Sequence, residues 1–370
     1  MNEDFLLTLN YLFCDNPAKI SNILKRHQNM NAFLNEGIDN YLFKQAFHSR
    51  KVDEIKGRLA KFDLAKYKAR LTTLGIKYLS IFSKEYPENL RQIPNPPVLF
   101  FYKGNINLLS TDIMGVVGTR NNSVYGERVT QKFVRELTPY FTIASGGALG
   151  IDTIAHQETL GQNGMTIAVF GCGFDVDYPK INQTLFKEIE EKGLLISEYP
   201  LGAEPLYYRF PQRNRIISGL AKGVLVVEAG EKSGSLITAN FALEQNREVF
   251  VVPGSVFSNI SIGTNKLIQQ GAKLVLEIDD ILSEFQYLFS KPKKEIRPTV
   301  IKPTHQEQLS QEEKQIYDLL NVIPISCDDL VSKLNLPVNK VLSSLTVLEL
   351  KGLVEEVGGK KFRSKLKAIN

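Results

Sequence analysis

Apolar residues recur in short uninterrupted runs between residues 113 and 276, and helix-length segments separate these runs. The runs are Ile113–Val117, Phe141–Ala144, Thr166–Phe170, Leu194–Ile196, Val224–Val227, Val249–Val252 and Leu274–Leu276. Strands covered on both faces have such continuous apolar runs, whereas half-exposed strands alternate apolar and polar residues. The pattern therefore predicts an α/β fold, a Rossmann-like doubly wound sheet.

The regions on either side of these runs have different patterns. Residues 1–72 show apolar positions at helical spacing and no strand-like alternation, which predicts a small all-helical N-terminal domain. The Rossmann-like domain is expected to cover residues 73–289. Residues 290–306 are rich in proline and lysine, which predicts an exposed linker.

Residues 307–370 contain three helical patterns and then a hairpin pattern that turns at Gly358-Gly359. Three helices followed by a hairpin predict a C-terminal winged helix. Its third helix has one lysine, Lys340, and no arginine before Lys351. Sequence-specific reading of duplex DNA is therefore not expected, and a protein contact or a weak DNA contact remains open.

Composition restricts the class of protein. The chain has 370 residues, of which 43% are hydrophobic and 23% charged, as expected for a multidomain protein with a sizeable core. It has no apolar stretch of about 18 residues and no basic N-terminal region, so we expect neither a membrane span nor a signal peptide. Three distant cysteines and four scattered histidines favour a cytoplasmic location and predict no metal or other cofactor. The net charge of +5 is mild, and mild basicity is only weak support for nucleic-acid binding.

Glycine and polar residues gather where the predicted strands end, which is where ligands bind in open α/β sheets. A strand, a glycine turn and a helix together point backbone N–H groups at an anion, and an arginine in the turn adds a planar donor suited to phosphate. We therefore predict contacts to the phosphodiester backbone of a nucleic acid from residues in these turns. They are Gly118, Thr119, Arg120, Ser145, Gly146, Lys180, Ser233, Gly234 and Ser235.

Each turn also has a purely structural interpretation. Glycine suits any turn that needs a positive φ, and serine is a common helix cap. Asp152 can simply cap a helix, and Glu228 can simply accept hydrogen bonds from neighbouring N–H groups. The joint occurrence of the turns, with Arg120 and Lys180 among them, favours the functional interpretation.

The stretch from Tyr207 to Ile217 interleaves three arginines with aromatic residues. Arginine contacts phosphate, and aromatic rings stack on bases, so Arg213 and Arg215 are predicted DNA contacts. The alternative is that these two arginines form ion pairs with Glu198 or Glu228, and both roles are compatible.

Several motifs resemble the DNA-processing protein A (DprA/Smf) family, in order and over about residues 78–276. They are Val117-Gly118-Thr119-Arg120, Ser145-Gly146 with Gly150-Ile151-Asp152, Tyr178-Pro179-Lys180-Ile181-Asn182, the run Phe210 to Leu220, Val226-Val227-Glu228-Ala229, the run Lys232 to Ala239, Val252-Pro253-Gly254-Ser255 and the run Gly263 to Ile268. The Arg-Asn-Arg and Ser-Gly-Ser blocks are the most specific of these motifs.

The resemblance implies a protein that is not an enzyme and that binds single-stranded DNA without sequence preference. Family members protect incoming DNA during natural transformation, pass it to a RecA-type recombinase and act as homodimers. The family's basic pocket falls on Arg120 and Lys180, and Leu149 stands where the family often has a basic residue. The N-terminal region resembles the family's sterile-alpha-motif-like domain but lacks a Gly-x-Gly hairpin, so it is assigned no DNA contacts.

Two other functions remain open. A nucleotide phosphoribohydrolase of the lysine-decarboxylase-like type shares the architecture, but it would need a Pro-Gly-Gly-x-Gly-Thr loop followed by a glutamate. The chain has Ser233-Gly234-Ser235-Leu236 where the related helix begins. A transcription regulator led by the winged helix, with a nucleotide-sensing Rossmann domain, is the third possibility.

Overall fold

The computed structural model describes residues 3–26, 49–288, 309–320, 324–351, 353–357 and 361–364. The chain forms two compact units, residues 1–286 and residues 287–370. The predicted linker and the Gly358-Gly359 turn lie outside the described residues.

A nine-stranded sheet is the centre of the first unit. Its strands are β1 (Lys77–Ser80), β2 (Leu99–Gly104), β3 (Ile113–Val117), β4 (Thr142–Ser145), β5 (Thr166–Phe170), β6 (Leu194–Ser197), β7 (Gly223–Val226), β8 (Glu248–Val251) and β9 (Lys273–Leu274). The strand order is β1-β2-β6-β5-β4-β3-β7-β8-β9. Strands β3 to β9 are parallel, and β1 and β2 join antiparallel at one edge.

Four described helices of this unit precede β1, the next seven lie between successive strands, and the last follows β9. They are α1 (Glu3–Phe13), α2 (Pro17–Arg26), α3 (Ser49–Lys61), α4 (Leu64–Thr73), α5 (Glu88–Arg91), α6 (Val124–Leu137), α7 (Ile151–Gly161), α8 (Gln183–Lys192), α9 (Arg209–Leu220), α10 (Gly234–Glu244), α11 (Ile262–Gln269) and α12 (Ile278–Leu282).

The central strands are buried on both faces. Every residue of β3, β4, β5, β6 and β7 is buried, as their continuous apolar runs predict. Strand β3 pairs with β4 on one side and with β7 on the other, so the order of connection reverses between β3 and β7. The doubly wound prediction is confirmed, and this reversal defines a topological switch point at the carboxyl ends of β3 and β7.

The described N-terminal helices α1 to α4 pack against β2, next to the edge strand β1. Phe5 and Leu9 of α1 share an apolar cluster with Leu99 and Phe101 of β2, and the rings of Tyr67 and Phe101 have centroids 6.5 Å apart. The predicted boundary between residues 72 and 73 therefore separates two regions of one compact unit. Part of the predicted helical domain, residues 27–48, lies outside the described residues.

The second unit is a winged helix, as predicted. Its helices are α13 (Gln311–Leu319), α14 (Cys327–Leu334) and α15 (Val338–Leu350), and its strands are β10 (Ile325–Ser326), β11 (Val354–Glu356) and β12 (Lys361–Ser364). The strand order is β10-β12-β11. In the third helix, Lys340 lies 2.6 Å from the Glu312 carboxylate, so its charge is already paired within the unit.

Within the part of the chain that the structure describes, no helix is long and apolar enough to cross a membrane. The same residues contain no group of three or more His, Cys, Asp or Glu side chains placed to hold a metal ion.

Candidate nucleic-acid interface

An open cleft of about 460 Å³ lies at the switch point. Its walls come from the turn after β3, the segment after β7 with the start of α10, and the exposed side of α9. The lining includes Gly118, Thr119, Arg120, Asp152, Tyr207, Phe210, Arg213, Asn214, Gly230, Lys232, Ser233, Gly234, Ser235 and Ile260. The structure thus brings seven of the eleven predicted DNA-binding residues (Gly118, Thr119, Arg120, Arg213, Ser233, Gly234, Ser235) to one cleft.

Arg120 presents its charge to this cleft. Its side chain is exposed, and its guanidinium carbon lies 5.3 Å from the centre of the Phe210 ring. No carboxylate among the described residues pairs with Arg120. A guanidinium held over an aromatic face keeps its hydrogen-bond donors free for an anion.

The start of α6, directly after the Arg120 turn, is closed to a ligand, because a carboxylate of the protein itself already bonds there. The buried Glu228 carboxylate accepts hydrogen bonds from the Ser123 backbone N–H at 2.9 Å and the Ser123 hydroxyl at 2.5 Å. The Glu228 carbonyl also accepts from the Thr119 N–H at 2.7 Å. The structural interpretation of Glu228 therefore holds, and the positive end of α6 already faces a carboxylate.

The second turn, which leads into α7, also has a buried carboxylate bonded to its N–H groups. Asp152 accepts from the N–H groups of Gly146 at 3.1 Å and Ala148 at 3.4 Å. Burial raises the pKa of Asp152, and the nearby Arg213 guanidinium lowers it in part. A Cβ at Gly146 would lie 2.5 Å from an Arg213 nitrogen, so only glycine fits between these groups. The glycine of this turn is explained by internal packing.

The start of α10 differs from both of these. Ser233 caps the helix, its hydroxyl accepting from the Ser235 N–H at 3.4 Å and lying 2.7 Å from the Ser235 hydroxyl. A Cβ at Gly234 would meet no atom within 4 Å, and no carboxylate within the described residues bonds to this helix start. The positive end of α10 therefore opens into the cleft.

Arg213 lines the cleft, but its donors are used inside the protein. It is 3% exposed, and Nη1 donates to the Gly146 carbonyl at 2.6 Å and to the Val169 carbonyl. Nε donates to the Asn214 side chain at 3.1 Å. Arg213 therefore braces the second turn, and its DNA contact stays a prediction.

Arg215 also uses its charge inside the protein, in a buried ion pair. Its Nη2 lies 2.8 and 2.7 Å from the two carboxylate oxygens of Glu198, and both side chains are buried. The ion-pair interpretation of Arg215 is correct, and this side chain lines neither the cleft nor the cavity beside it. A buried pair of this kind cannot release its arginine to phosphate without leaving an unpaired carboxylate.

Two further predicted residues do not line the cleft. Ser145 is fully buried and donates to the Val116 carbonyl at 2.6 Å, which joins the ends of β3 and β4. Lys180 is exposed in a 3-10 turn, Lys180–Asn182, and has no carboxylate partner among the described residues. It lies beside the cleft's neighbouring cavity without lining it, so its DNA contact stays a prediction.

That neighbouring cavity, of about 50 Å³, is mainly apolar and aromatic. Its lining includes Arg120, Leu149, Phe170, Tyr178 and Phe210. Leu149, which stands where a basic residue was expected from the family pattern, is 44% exposed here. The wall at Leu149 therefore presents hydrocarbon where the family pattern would present a charge.

The structure adds two side chains to the predicted site. Lys232 lines the cleft, is exposed and has no carboxylate partner in the described parts of the chain. Tyr207 lines the cleft and is 84% exposed. The signal for Lys232 was its place one residue before the Ser-Gly-Ser helix start, and that for Tyr207 was the aromatic and arginine interleaving.

Comparison with known proteins assigns the family. Residues 77–286 match the family model for DNA recombination-mediator protein A, and residues 301–360 match that for the DprA winged helix domain. The chain is 48% identical over 208 residues to DNA processing protein DprA of Streptococcus pneumoniae, which covers 56% of this chain and 74% of the relative. It is 40% identical over 280 residues to protein Smf of Escherichia coli, covering 75% of this chain and 74% of the relative.

Solved structures agree. The X-ray structure of DprA from Streptococcus pneumoniae matches with a TM-score of 0.65 at 38% identity, covering 77% of this chain and 98% of that one. A structure of DprA from Helicobacter pylori, described for its single-stranded DNA binding mode, matches with a TM-score of 0.52 at 31% identity, covering 57% and 96%. The chain belongs to the DprA/Smf family of DNA recombination-mediator proteins.

Proposed function

We propose that this chain binds single-stranded DNA in the switch-point cleft without reading its sequence. The observation that carries the proposal is the combination of the open helix start at Ser233 to Ser235 with two cations, Arg120 and Lys232, that have no carboxylate partner among the described residues. Phosphate binds to N–H groups and the positive end of a helix, and cations add to the attraction. The binding mode described for the Helicobacter pylori relative supports this choice of ligand.

Aromatic side chains at the cleft suit single strands better than duplexes. Phe210 lies under Arg120, and Tyr207 is exposed at the edge of the same cleft. Any base can stack on an aromatic ring, and such stacking contributes about 1–3 kcal/mol per base without sequence preference. Bases of a duplex are already stacked on one another, so these rings favour an unpaired strand.

The wider role follows from family membership. On this proposal the chain acts in the cytoplasm as a homodimer that protects incoming DNA during natural transformation and loads a RecA-type recombinase onto it. Its action is binding and transfer without a chemical step. In support, the one carboxylate that lines the described cleft, Asp152, is buried and already accepts two backbone hydrogen bonds.

The test is fluorescence anisotropy of the full chain with labelled oligo-dT across a salt series. Arg120→Ala is expected to weaken binding about ten-fold and to lower the log–log salt slope by about 0.7, the loss of one phosphate contact. Lys66→Ala is the matched control, because Lys66 is a cation on α4, 87% exposed and away from the lining residues. Equal affinity and slope for Arg120→Ala and Lys66→Ala would reject this cleft as the DNA site.

A further inference from the structure

The loop that joins β6 to α9 carries the exposed aromatic edge of the cleft. Tyr207 stands near its end, and Phe210 follows in the first turn of α9. Free loops lose entropy when they are ordered by a ligand, so the affinity of a site depends on how firmly its loops are held beforehand. The structure shows what holds this loop.

The described N-terminal helices hold the loop near its end. Arg209, 6% exposed, donates from Nε to one Asp15 oxygen at 2.7 Å and from Nη2 to the other at 3.2 Å. Its Nη1 donates to the Glu204 carbonyl within the loop at 2.6 Å. One guanidinium thus joins the turn between α1 and α2, the middle of the loop and the start of α9.

Further contacts from the same helices reach the beginning and middle of the loop. The buried Asn10 side chain of α1 donates to the Glu198 carbonyl at 2.9 Å. The Leu201 N–H donates to the Tyr67 hydroxyl of α4 at 3.2 Å. These bonds join residues separated by more than 130 positions in the chain, so the loop is held by tertiary contacts from a region outside the cleft.

Apolar packing accompanies these bonds. Cys14, Tyr199 and Ala203 form a buried cluster between the end of α1 and the loop. Burial raises the pKa of the Cys14 thiol to about 12, so the thiol stays neutral and packs as a small apolar group. Among the described residues lining the cleft, none comes from α1 to α4.

We propose that the N-terminal helices set the affinity for single-stranded DNA by fixing the β6–α9 loop, with Asp15 as the positioning residue. This inference rests on the proposed function. Asp15 acts through Arg209, which lies in the chain between Tyr207 and Phe210, the aromatic residues that line the cleft. The region that was assigned no DNA contacts from its sequence therefore influences DNA binding without touching DNA.

The test uses the full chain with labelled oligo-dT across a salt series. Asp15→Asn is expected to weaken binding about five-fold, the size expected when one or two contact side chains must be ordered on binding. The log–log salt slope is expected to stay unchanged, because no phosphate contact is lost. Asp15→Glu, which keeps the charge, is expected to restore affinity to within about two-fold.

The matched control is Glu190→Gln, which removes an ion pair of similar exposure between α8 and β2, 2.8 Å from Lys103 and away from the loop. It is expected to leave affinity unchanged. Tyr67→Phe supplies a second variant that removes only the acceptor of the Leu201 N–H. Amide hydrogen exchange should be faster at Leu201 in Tyr67→Phe and in Asp15→Asn than in the parent chain.

Each outcome separates the inference from the function on which it rests. If the parent chain does not bind oligo-dT, the proposed function fails. If the parent chain binds, and Asp15→Asn and Tyr67→Phe bind equally well, positioning by the N-terminal helices is wrong. A lower salt slope for Asp15→Asn would also overturn it, because that result would mean a lost phosphate contact.

Discussion

Three helices begin at the cleft with similar glycine or serine turns, yet the first two differ from the third in what faces their positive ends. At the start of α6 the buried Glu228 carboxylate accepts from the Ser123 N–H, and in the first turn of α7 the buried Asp152 carboxylate accepts from the N–H groups of the preceding turn. At the start of α10 the hydroxyls of Ser233 and Ser235 are in contact, and no carboxylate among the described residues bonds to this helix start. A turn that looks suited to phosphate is available to a ligand only where the protein has not already supplied an anion.

The cations of the cleft also differ in whether their charge is already used inside the protein. On the closed side, Arg213 is buried among backbone carbonyls. By contrast, Arg120 in the turn before α6 and Lys232 before α10 are exposed and lack carboxylate partners within the described residues. These two cations therefore carry the uncompensated positive charge of the cleft, which attracts a phosphate chain.

The largest expected effect is a loss of stability when the carboxylate at the start of α6 is removed. Glu228→Gln replaces the buried carboxylate with an amide, whose NH₂ group opposes the Ser123 donors, and loses charge-assisted bonds and the attraction to the helix dipole. We expect the free energy of unfolding to fall by about 2 kcal/mol in urea denaturation. Glu231→Gln is the control, since Glu231 is 60% exposed in a surface ion pair and should change stability by less than about 0.5 kcal/mol. Equal stability of the two variants would show that Glu228 does not close α6.

A smaller loss of stability, which arises at α7, should come from lowering the pH. Burial lowers the pKa of His156 in α7 to about 3, and its Nδ1 lies 2.7 Å from the Thr166 hydroxyl. The unfolded chain binds a proton at His156 below about pH 6.5, whereas the folded chain does not. The contribution of neutral His156 to the free energy of unfolding is therefore complete above that pH and is lost as pH falls. From pH 7.5 to 5.5 the His156 contribution to the free energy of unfolding should fall by about 1.4 kcal/mol.

The His156→Asn variant isolates that contribution, because it keeps a polar atom near Thr166 and removes the titration. Its unfolding free energy should vary less with pH than that of the parent chain. No histidine is among the described residues lining the cleft, so oligo-dT affinity should stay within about two-fold over the same range. Parallel pH profiles for the variant and the parent would contradict the buried, neutral assignment.

The sequence predicted the strands and their turns well because continuous apolar runs leave few alternatives to buried parallel strands. It also placed Gly118, Arg120 and Ser233 at the carboxyl ends, where the sheet brings them together. It could not decide which turns are closed. Glu228 and Ser123 are 105 residues apart, and only the pairing of β3 with β7 makes them neighbours.

The arginines show the same limit. Arg213 and Arg215 lie two positions apart on one helix, and phosphate contact and internal ion pairing were both compatible with their sequence. The structure shows the internal pairing of Arg215, since Glu198, directly after β6, lies 2.7 Å from it. Local sequence reports the donor, whereas the long-range fold determines whether the donor is already occupied.

The most direct measurement is the DNA affinity of a variant in which a carboxylate is placed at the open start of α10. Gly234→Asp places a carboxylate at the first position of α10, where a Cβ meets no atom within 4 Å, and Gly234→Asn is its uncharged match. A carboxylate about 5 Å from a bound phosphate costs about 1–2 kcal/mol at intermediate dielectric, while the helix dipole stabilises it in the free protein. Measured by anisotropy with oligo-dT, Gly234→Asp should bind about ten-fold more weakly than Gly234→Asn, with no loss of thermal stability. Equal binding by the two variants would contradict phosphate binding at the start of α10.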